Sequence, residues 1–215
     1  MTASVGDKHF KRGNDRLFMA VWLAMQLTDV LSIACLVVRG TLDLSNDKQG
    51  MCCTCGTAPL EIIFPIIHPT KLTVANQRID HIILEIKAKG TTPIPGNHNV
   101  TEYAGLHNRF ISMPFLRFYE QSRPHIQAIF GKDTQAWPQL FQFAWAIRNG
   151  LTHHAGRINF TNPGYPAVSW RNLSYSPADA GKPIFGSHFS VGDLFLLMFD
   201  ISDELDAIAA PLPPD

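Results

Sequence analysis

The sequence predicts a mainly α-helical fold: an up-and-down helical bundle with a short β-hairpin inserted between the last two helices. Three observations favour this fold. Apolar residues recur with helical spacing in several long segments. Residues 157–175 instead combine short apolar runs with turn residues, which is typical of a hairpin. Of the 215 residues, 46% are hydrophobic, which is enough to fill one core without disulfides or a metal.

No internal repeat or linker divides the chain, so we expect a single domain. Its two ends, residues 1–13 and 211–215, are expected to form a flexible arm and a tail. Asn14 or Asp15 can cap a first helix that continues to about Val38. The inward side of this helix is predicted from apolar residues at three- and four-residue spacing, namely Leu17, Ala20, Ala24, Leu27, Leu31 and Ala34.

Residues 17–38 are apolar enough to raise the question of a membrane span. Polar residues lie near the middle of this segment, and one of them is Asp29. A charge at that depth costs about 3 kcal/mol on insertion scales. Asp29 and the lack of a small-residue cleavage site also argue against a signal peptide. We therefore expect a buried helix and no membrane association.

Residues 41–59 are predicted to form a polar loop that holds three of the four cysteines. Cys52, Cys53 and Cys55 contain one C-x-x-C pattern. A structural zinc site uses four ligands, commonly from two such patterns, and the chain has no second one. Reduced thiols in a loop of a cytosolic protein are the favoured interpretation. We predict no metal and no cofactor.

The middle of the chain is predicted to hold two helices. Residues 61–67 form a short apolar run that fits either a strand or the start of a helix. Apolar residues then repeat with helical period over residues 70–89, which predicts the second helix. A third helix is predicted over residues 101–130, where Pro114 and Pro124 are expected to break or kink it.

The last two helices enclose the predicted hairpin. Residues 135–154 carry aromatic and aliphatic side chains at helical spacing, which predicts a buried helix. Residues 157–160 and 167–175 are expected to be the hairpin strands, within an insertion over residues 157–186. Ser190, followed three residues later by an aspartate, forms a capping box that predicts the start of the final helix.

The charges balance overall but are distributed unevenly. Lys plus Arg and Asp plus Glu number 18 each, which gives no overall electrostatic attraction to nucleic acid or membrane. Residues 134–178 contain no acid but include Arg148, Arg157 and Arg171. We therefore expect a local positive field around these arginines, to which a polyanion would be attracted.

Residues 148–154, with the sequence Arg-Asn-Gly-Leu-Thr-His-His, concentrate the most chemistry. Asn149 and His153 are four residues apart on a helix, so the amide can orient the imidazole. Arg148 lies about 140° from His153 around the helix axis, so we expect no tight pair between them. A second copy of the helix across a two-fold axis would complete such a site. Gly150 costs roughly 1 kcal/mol relative to alanine and is expected to mark where that helix approaches.

These groups suit RNA cleavage without a metal. A histidine can take the proton of a ribose 2′-hydroxyl or protonate the leaving 5′-oxygen. An arginine can hold the scissile phosphate with two hydrogen bonds and stabilise its developing charge. An asparagine can orient either partner.

The pattern Arg148-Asn149-x-x-x-His153 resembles the R-[N/D/H]-x(3–5)-H signature of the HEPN superfamily, helical domains common in prokaryotic conflict systems. The resemblance implies a helical bundle, a dimer that unites two motifs and, in active members, metal-independent endoribonuclease activity. It further implies that Arg148 binds the phosphate, that Asn149 supports it and that His153 is the general acid/base. His154 can replace His153 under the looser spacing.

Three hypotheses for the function are open, and the most distant is a membrane-associated helical protein anchored by residues 17–38. The first is a homodimeric, cytoplasmic ribonuclease that acts as a toxin or defence effector, with an antitoxin protein as a candidate partner. Arg157 and Arg171 would then contact RNA beside the hairpin aromatic residues. The second is a non-catalytic module of the same architecture that binds a nucleotide, RNA or a protein. The helix dipole also favours arginine and histidine at a helix C-terminus without any catalysis.

Overall fold

The fold is mixed α/β, so the prediction of a mainly helical bundle is wrong. Among the residues that the structure describes, a four-stranded antiparallel sheet and a two-stranded sheet accompany four helices. The expected hairpin between the last two helices is present. The computed structural model describes residues 5–27, 50–65, 81–90, 104–186 and 188–212.

The larger sheet is built from strands that come mainly from the first half of the chain. These strands are β1 (Gly6–Lys11), β2 (Gly50–Thr54), β3 (Leu60–Pro65) and β4 (His81–Ala88). Their order in the sheet is β1-β4-β3-β2, with antiparallel neighbours. One face of the sheet is apolar and buried because alternate residues point the same way. That face includes Phe10, Ile62, Phe64, Ile82, Leu84 and Ile86.

Three predicted elements are corrected by this sheet. The expected arm over residues 1–13 contains β1, and the expected loop over residues 41–59 contains β2. The second helix, predicted over residues 70–89, is wrong where residues 81–88 form β4. Consecutive isoleucines fit both periods, but Ile83 is 44% exposed while its neighbours are buried, as in a strand. Pairing with β1 and β3 on both sides stabilises this choice.

The ambiguous run at residues 61–67 resolves as β3, which ends at Pro65, a position where a strand tolerates proline. The rest of the predicted second helix, residues 70–80, lies outside the described residues. The same holds for residues 28–38 of the first helix. The described part of that helix, α1, covers residues 18–27.

Three longer helices form the other layer. They are α2 (Ala104–Phe130), α3 (Gln139–His153) and α4 (Val191–Ala207). Pro114 and Pro124 lie inside α2, and neither ends it. A short 3-10 turn (Thr134–Ala136) precedes α3, so the predicted helix over residues 135–154 begins four residues later than expected. Packing of α2 and α3 against α4 places the C-terminal end of α3 beside the middle of α2.

The N-terminus of α4 connects the helices to the sheet. The predicted capping box is confirmed, since Ser190 and Asp193 exchange hydrogen bonds. Asp193 is fully buried and also accepts hydrogen bonds from the backbone N–H of Gly56 (2.7 Å) and Thr57 (2.9 Å). Cys53, in β2, and Cys55, just after it, are both buried, so these cysteines belong to the core rather than to a polar loop.

The small hairpin consists of β5 (Val168–Trp170) and β6 (Leu173–Tyr175). Both strands therefore come from the segment predicted as a single strand, residues 167–175. The reason is a tight turn at Arg171, whose φ of 52° allows the chain to reverse within two residues. Residues 157–160 contribute only an isolated bridge, between Arg157 and Pro183.

Candidate functional site

Arg148, Asn149 and His153 lie together at the C-terminal end of α3. Arg148 Nη1 is 3.0 Å from Asn149 Oδ1 and 3.0 Å from His153 Nε2. The guanidinium can only donate, so Nε2 of a neutral His153 accepts and its proton sits on Nδ1. Arg148 and Asn149 are half-buried, whereas His153 is exposed.

The Arg148–His153 contact corrects the expectation that these two residues do not pair. The angle around the helix axis describes where the two side chains start, and not how far each one reaches. The long arginine side chain spans the difference and bonds the ring. Arg148, and not Asn149, is therefore the hydrogen-bond partner of His153.

Glu120 of α2 is a member of this cluster that sequence reasoning missed. Its Oε1 lies 2.6 Å from Arg148 Nε and 2.5 Å from Arg148 Nη2. Its Oε2 lies 3.9 Å from Nη1 of Arg123, one helical turn further along α2. Glu120 precedes Arg148 by 28 residues, outside the acid-free segment, so no local pattern indicates the pairing.

The arginines of the acid-free segment are bound to groups elsewhere in the fold, which weakens the predicted positive field. Arg148 is paired with Glu120, and Arg171 is paired with Asp200 of α4 at 3.1 Å. Arg157 is exposed and donates to the carbonyl oxygen of Gly181 (2.7 Å). Arg157 and Arg171 therefore make contacts elsewhere and do not belong to the cluster of Arg148, Asn149 and His153.

His154 faces the loop after the helix. Its ring nitrogens lie 3.1 and 3.3 Å from Nδ2 of Asn159, and the ring is half-buried. The centres of the His153 and His154 rings are 6.4 Å apart. His154 thus adjoins the cluster without contacting Arg148.

Gly150 has a different role from the one predicted. A Cβ at this position would lie 2.6 Å from the carbonyl oxygen of Arg157 and 2.6 Å from Cδ1 of Ile184. The chain itself therefore occupies the space in which a partner helix was expected. The backbone supports this close packing, since Gly156 N–H donates to the Gly150 carbonyl oxygen at 2.9 Å.

Two buried donors lie on the same part of α2. Neither the hydroxyl of Tyr119 nor Nε of Arg123 has a hydrogen-bond partner among the residues that the structure describes. Burial raises the pKa of the Tyr119 hydroxyl above its ordinary value, while the positive charges of Arg123 and Arg148 oppose the increase. Tyr119 is therefore a neutral phenol that can donate a hydrogen bond.

No protein-family model, no curated protein and no solved structure matches the chain. Within the described ranges, no group of three or more histidine, cysteine or acidic residues is arranged to hold a metal ion. In the same ranges, no helix is both long and apolar enough to cross a membrane.

Proposed function

We propose that this protein is an endoribonuclease that cleaves RNA without a metal, by attack of a ribose 2′-hydroxyl on the adjacent phosphodiester. The observation that supports the proposal is the contact of Arg148 with both Asn149 and His153 at an exposed helix end. The activity is the one implied by the resemblance of this motif to the HEPN superfamily. The proposal uses the chemistry of the motif and does not depend on a helical bundle.

In the proposed reaction, Arg148 turns from His153 to the phosphate, and the freed Nε2 of His153 takes the proton of the 2′-hydroxyl. The freed oxygen attacks the phosphorus atom, and the bond from phosphorus to the 5′-oxygen breaks. The leaving 5′-oxygen takes a proton from a second imidazole, either His154 or His153 of a second copy of the chain. The products are a 2′,3′-cyclic phosphate and a free 5′-hydroxyl.

Arg148 supplies the positive charge for this reaction. Its guanidinium can donate two hydrogen bonds to the phosphate oxygens, whose negative charge grows in the transition state. Asn149 accepts a hydrogen bond from Arg148 and so restricts the orientation of the guanidinium. The contact with His153 in the free protein keeps Arg148 beside the base, and it is exchanged for the phosphate when RNA binds.

The wider biological role is proposed on the same resemblance. We propose a homodimer in which two copies of residues 148–154 face each other, acting in the cytoplasm as a toxin or defence effector with an antitoxin partner. The exposed His153 is the group that such a dimer would share. Gly150 does not support the dimer, because residues of the same chain cover it.

The decisive experiment incubates the purified protein with RNA in EDTA and examines the product ends. We expect 2′,3′-cyclic phosphate ends, and loss of cleavage in Arg148→Ala and His153→Ala. Matched controls are Arg117→Ala, which removes an exposed arginine from α2, and His81→Ala, which removes an exposed histidine from β4. Equal cleavage by the wild type and both site variants would refute the proposal.

A second candidate function is RNA or nucleotide binding without cleavage. The observation that favours it is the neutralisation of Arg148 by Glu120, which leaves Arg157 as an exposed arginine nearby in sequence. This function predicts RNA binding without product formation. It also predicts that Arg157→Ala weakens binding and reduces its dependence on salt.

A further inference from the structure

We propose that Arg123 and Arg148 together form a phosphate-binding site, in which an RNA phosphodiester displaces the carboxylate of Glu120. The choice of RNA as the ligand rests on the proposed function. The new elements are Arg123 as a binding residue and Glu120 as the internal anion that fills the site when RNA is absent.

The geometry of the carboxylate supports this inference. Glu120 lies between the two arginines: its Oε1 accepts hydrogen bonds from Arg148, and its Oε2 lies 3.9 Å from Nη1 of Arg123, an ion pair without a hydrogen bond. A phosphodiester also shares one negative charge between two non-bridging oxygens on one central atom, so it can bridge the same pair of guanidinium groups. Two positive charges face one negative charge, so the cluster keeps a net positive charge that attracts a further anion.

The exposure of Glu120 makes the exchange feasible. The Glu120 side chain is 45% exposed, whereas that of Arg148 is only 17% exposed. A half-exposed carboxylate can turn into water and regain its hydration, and such surface pairs contribute little to stability. The arginine that remains in place is the less exposed partner, so the site keeps its shape when the carboxylate leaves.

The unpaired donors on α2 are a second and independent observation. The hydroxyl of Tyr119, one residue before Glu120, and Nε of Arg123 are both buried without an acceptor in the described part of the chain. Buried donors are nearly always satisfied by protein or water, so each of these groups is expected to have an acceptor that does not belong to the described part of the chain. A phosphodiester carries more acceptor oxygens than the carboxylate it would replace. It can therefore accept a hydrogen bond from Nε of Arg123, which Glu120 leaves unpaired.

The test measures binding separately from cleavage. Fluorescence anisotropy of a labelled 2′-O-methyl oligoribonucleotide, which lacks the nucleophile, reports binding to the full-length protein. We expect Glu120→Gln, which removes the charge at nearly constant size, to bind about tenfold more tightly at low salt. We expect Arg123→Ala to weaken binding about tenfold and to reduce the slope of log K against log salt by about one.

The matched control is Arg117→Ala, which removes an exposed arginine from the same helix. Its affinity should stay within about twofold of that of the wild type, because Arg117 does not belong to the cluster. If Arg123→Ala failed to fold, Arg123→Lys would keep the charge but lose the paired N–H groups, so it should bind more weakly than the wild type and Arg117→Ala, by less than about tenfold.

The inference is overturned if Glu120→Gln does not bind more tightly than the wild type, or if Arg123→Ala binds as well as Arg117→Ala. Its failure can be distinguished from failure of the proposed function by assaying unmodified RNA in parallel. Cleavage that depends on Arg148 and His153 without these binding changes would refute the inference alone. The expected binding changes without any cleavage would refute the ribonuclease and leave the phosphate site in place.

Discussion

Two arginine–carboxylate pairs in this protein look alike in sequence but differ in their surroundings. Arg148 pairs with Glu120 between α3 and α2, and Arg171 pairs with Asp200 between the hairpin and α4. Both arginines come from the acid-free segment, and the sequence predicts an RNA contact for each. The structure separates them into an open pair and a closed pair.

The closed pair has its hydrogen bonds satisfied within the fold. Arg171 and Asp200 are 14% and 16% exposed, and two nitrogens of Arg171 reach both oxygens of Asp200. The indole N–H of Trp170 donates to the same carboxylate at 2.9 Å, and the guanidinium lies 5.1 Å from the centre of the Trp170 ring. These contacts tie the hairpin to α4, so we interpret this pair as structural.

The open pair has a half-exposed carboxylate, and its arginine has polar neighbours. Glu120 is 45% exposed, and the same arginine contacts His153 and Asn149. The role of an arginine in an acid-free segment is therefore clear only together with its partner in space. A partner that can leave permits ligand binding, whereas a buried partner prevents it.

The largest expected effect concerns RNA cleavage. Arg148→Ala and His153→Ala should each lower the single-turnover rate by about 10²- to 10⁴-fold, because they remove phosphate stabilisation and the general base. Circular dichroism would check that both variants fold. If Arg117→Ala lost the same activity, the loss in Arg148→Ala would not be specific to the open pair.

The second effect concerns the free energy of unfolding, and here the variant of the closed pair should show the larger loss. Arg171→Ala should reduce the free energy of unfolding by about 3 kcal/mol, since it leaves a mostly buried carboxylate with only one donor. Arg148→Ala should change it by about 0.5 kcal/mol, since Glu120 is free to turn into solvent. Urea unfolding of both variants measures the difference. Equal losses would remove the distinction between the closed and the open pair.

A third prediction tests how the helix end beside the open pair is enclosed. Gly150→Ala should destabilise the protein by about 2 kcal/mol, because the new Cβ would meet a backbone oxygen and Ile184. An unobstructed helical glycine would instead gain roughly 1 kcal/mol from the same change. Thermal unfolding gives the sign, and a stabilised variant would show that the loop does not pack on Gly150.

The smallest effect is the salt dependence of the two pairs. Double-mutant cycles should give a coupling of about 0.5 kcal/mol for Arg148 with Glu120 at low salt, and about zero at 1 M salt. The coupling of Arg171 with Asp200 should persist at 1 M salt because water and ions reach it less easily. The same urea experiments at two salt concentrations measure both. A salt-resistant coupling at Glu120 would contradict the exchange proposed for that residue.

Local patterns predicted the helices in the second half of the chain. The capping box at Ser190 and the apolar period of α3 involve residues three or four positions apart, so neighbouring residues are sufficient to specify them. The motif at residues 148–154 was also found in this way, and its residues do lie together. The contact between Arg148 and His153 was missed because angular spacing ignores the length of a side chain.

The sheet could not be predicted from such patterns. The isoleucines of β4 fit a helix and a strand equally, and the choice depends on pairing with β1, more than 70 residues earlier in the chain. The polar composition of residues 41–59 did not indicate β2, whose Cys53 side chain is covered by the rest of the fold. Burial by distant segments decides such strands, and it leaves no local period that can be recognised.

By itself, the sequence determined where the candidate site lies, since arginine, asparagine and histidine follow one another on one helix end. Only the tertiary structure decided what each arginine does there. It brought Glu120 to Arg148 and Asp200 to Arg171 from separate helices. It also packed a later part of the same chain against Gly150. The physical reason is that charge pairing and burial act through space, so the group that neutralises or exposes a side chain can lie anywhere along the chain.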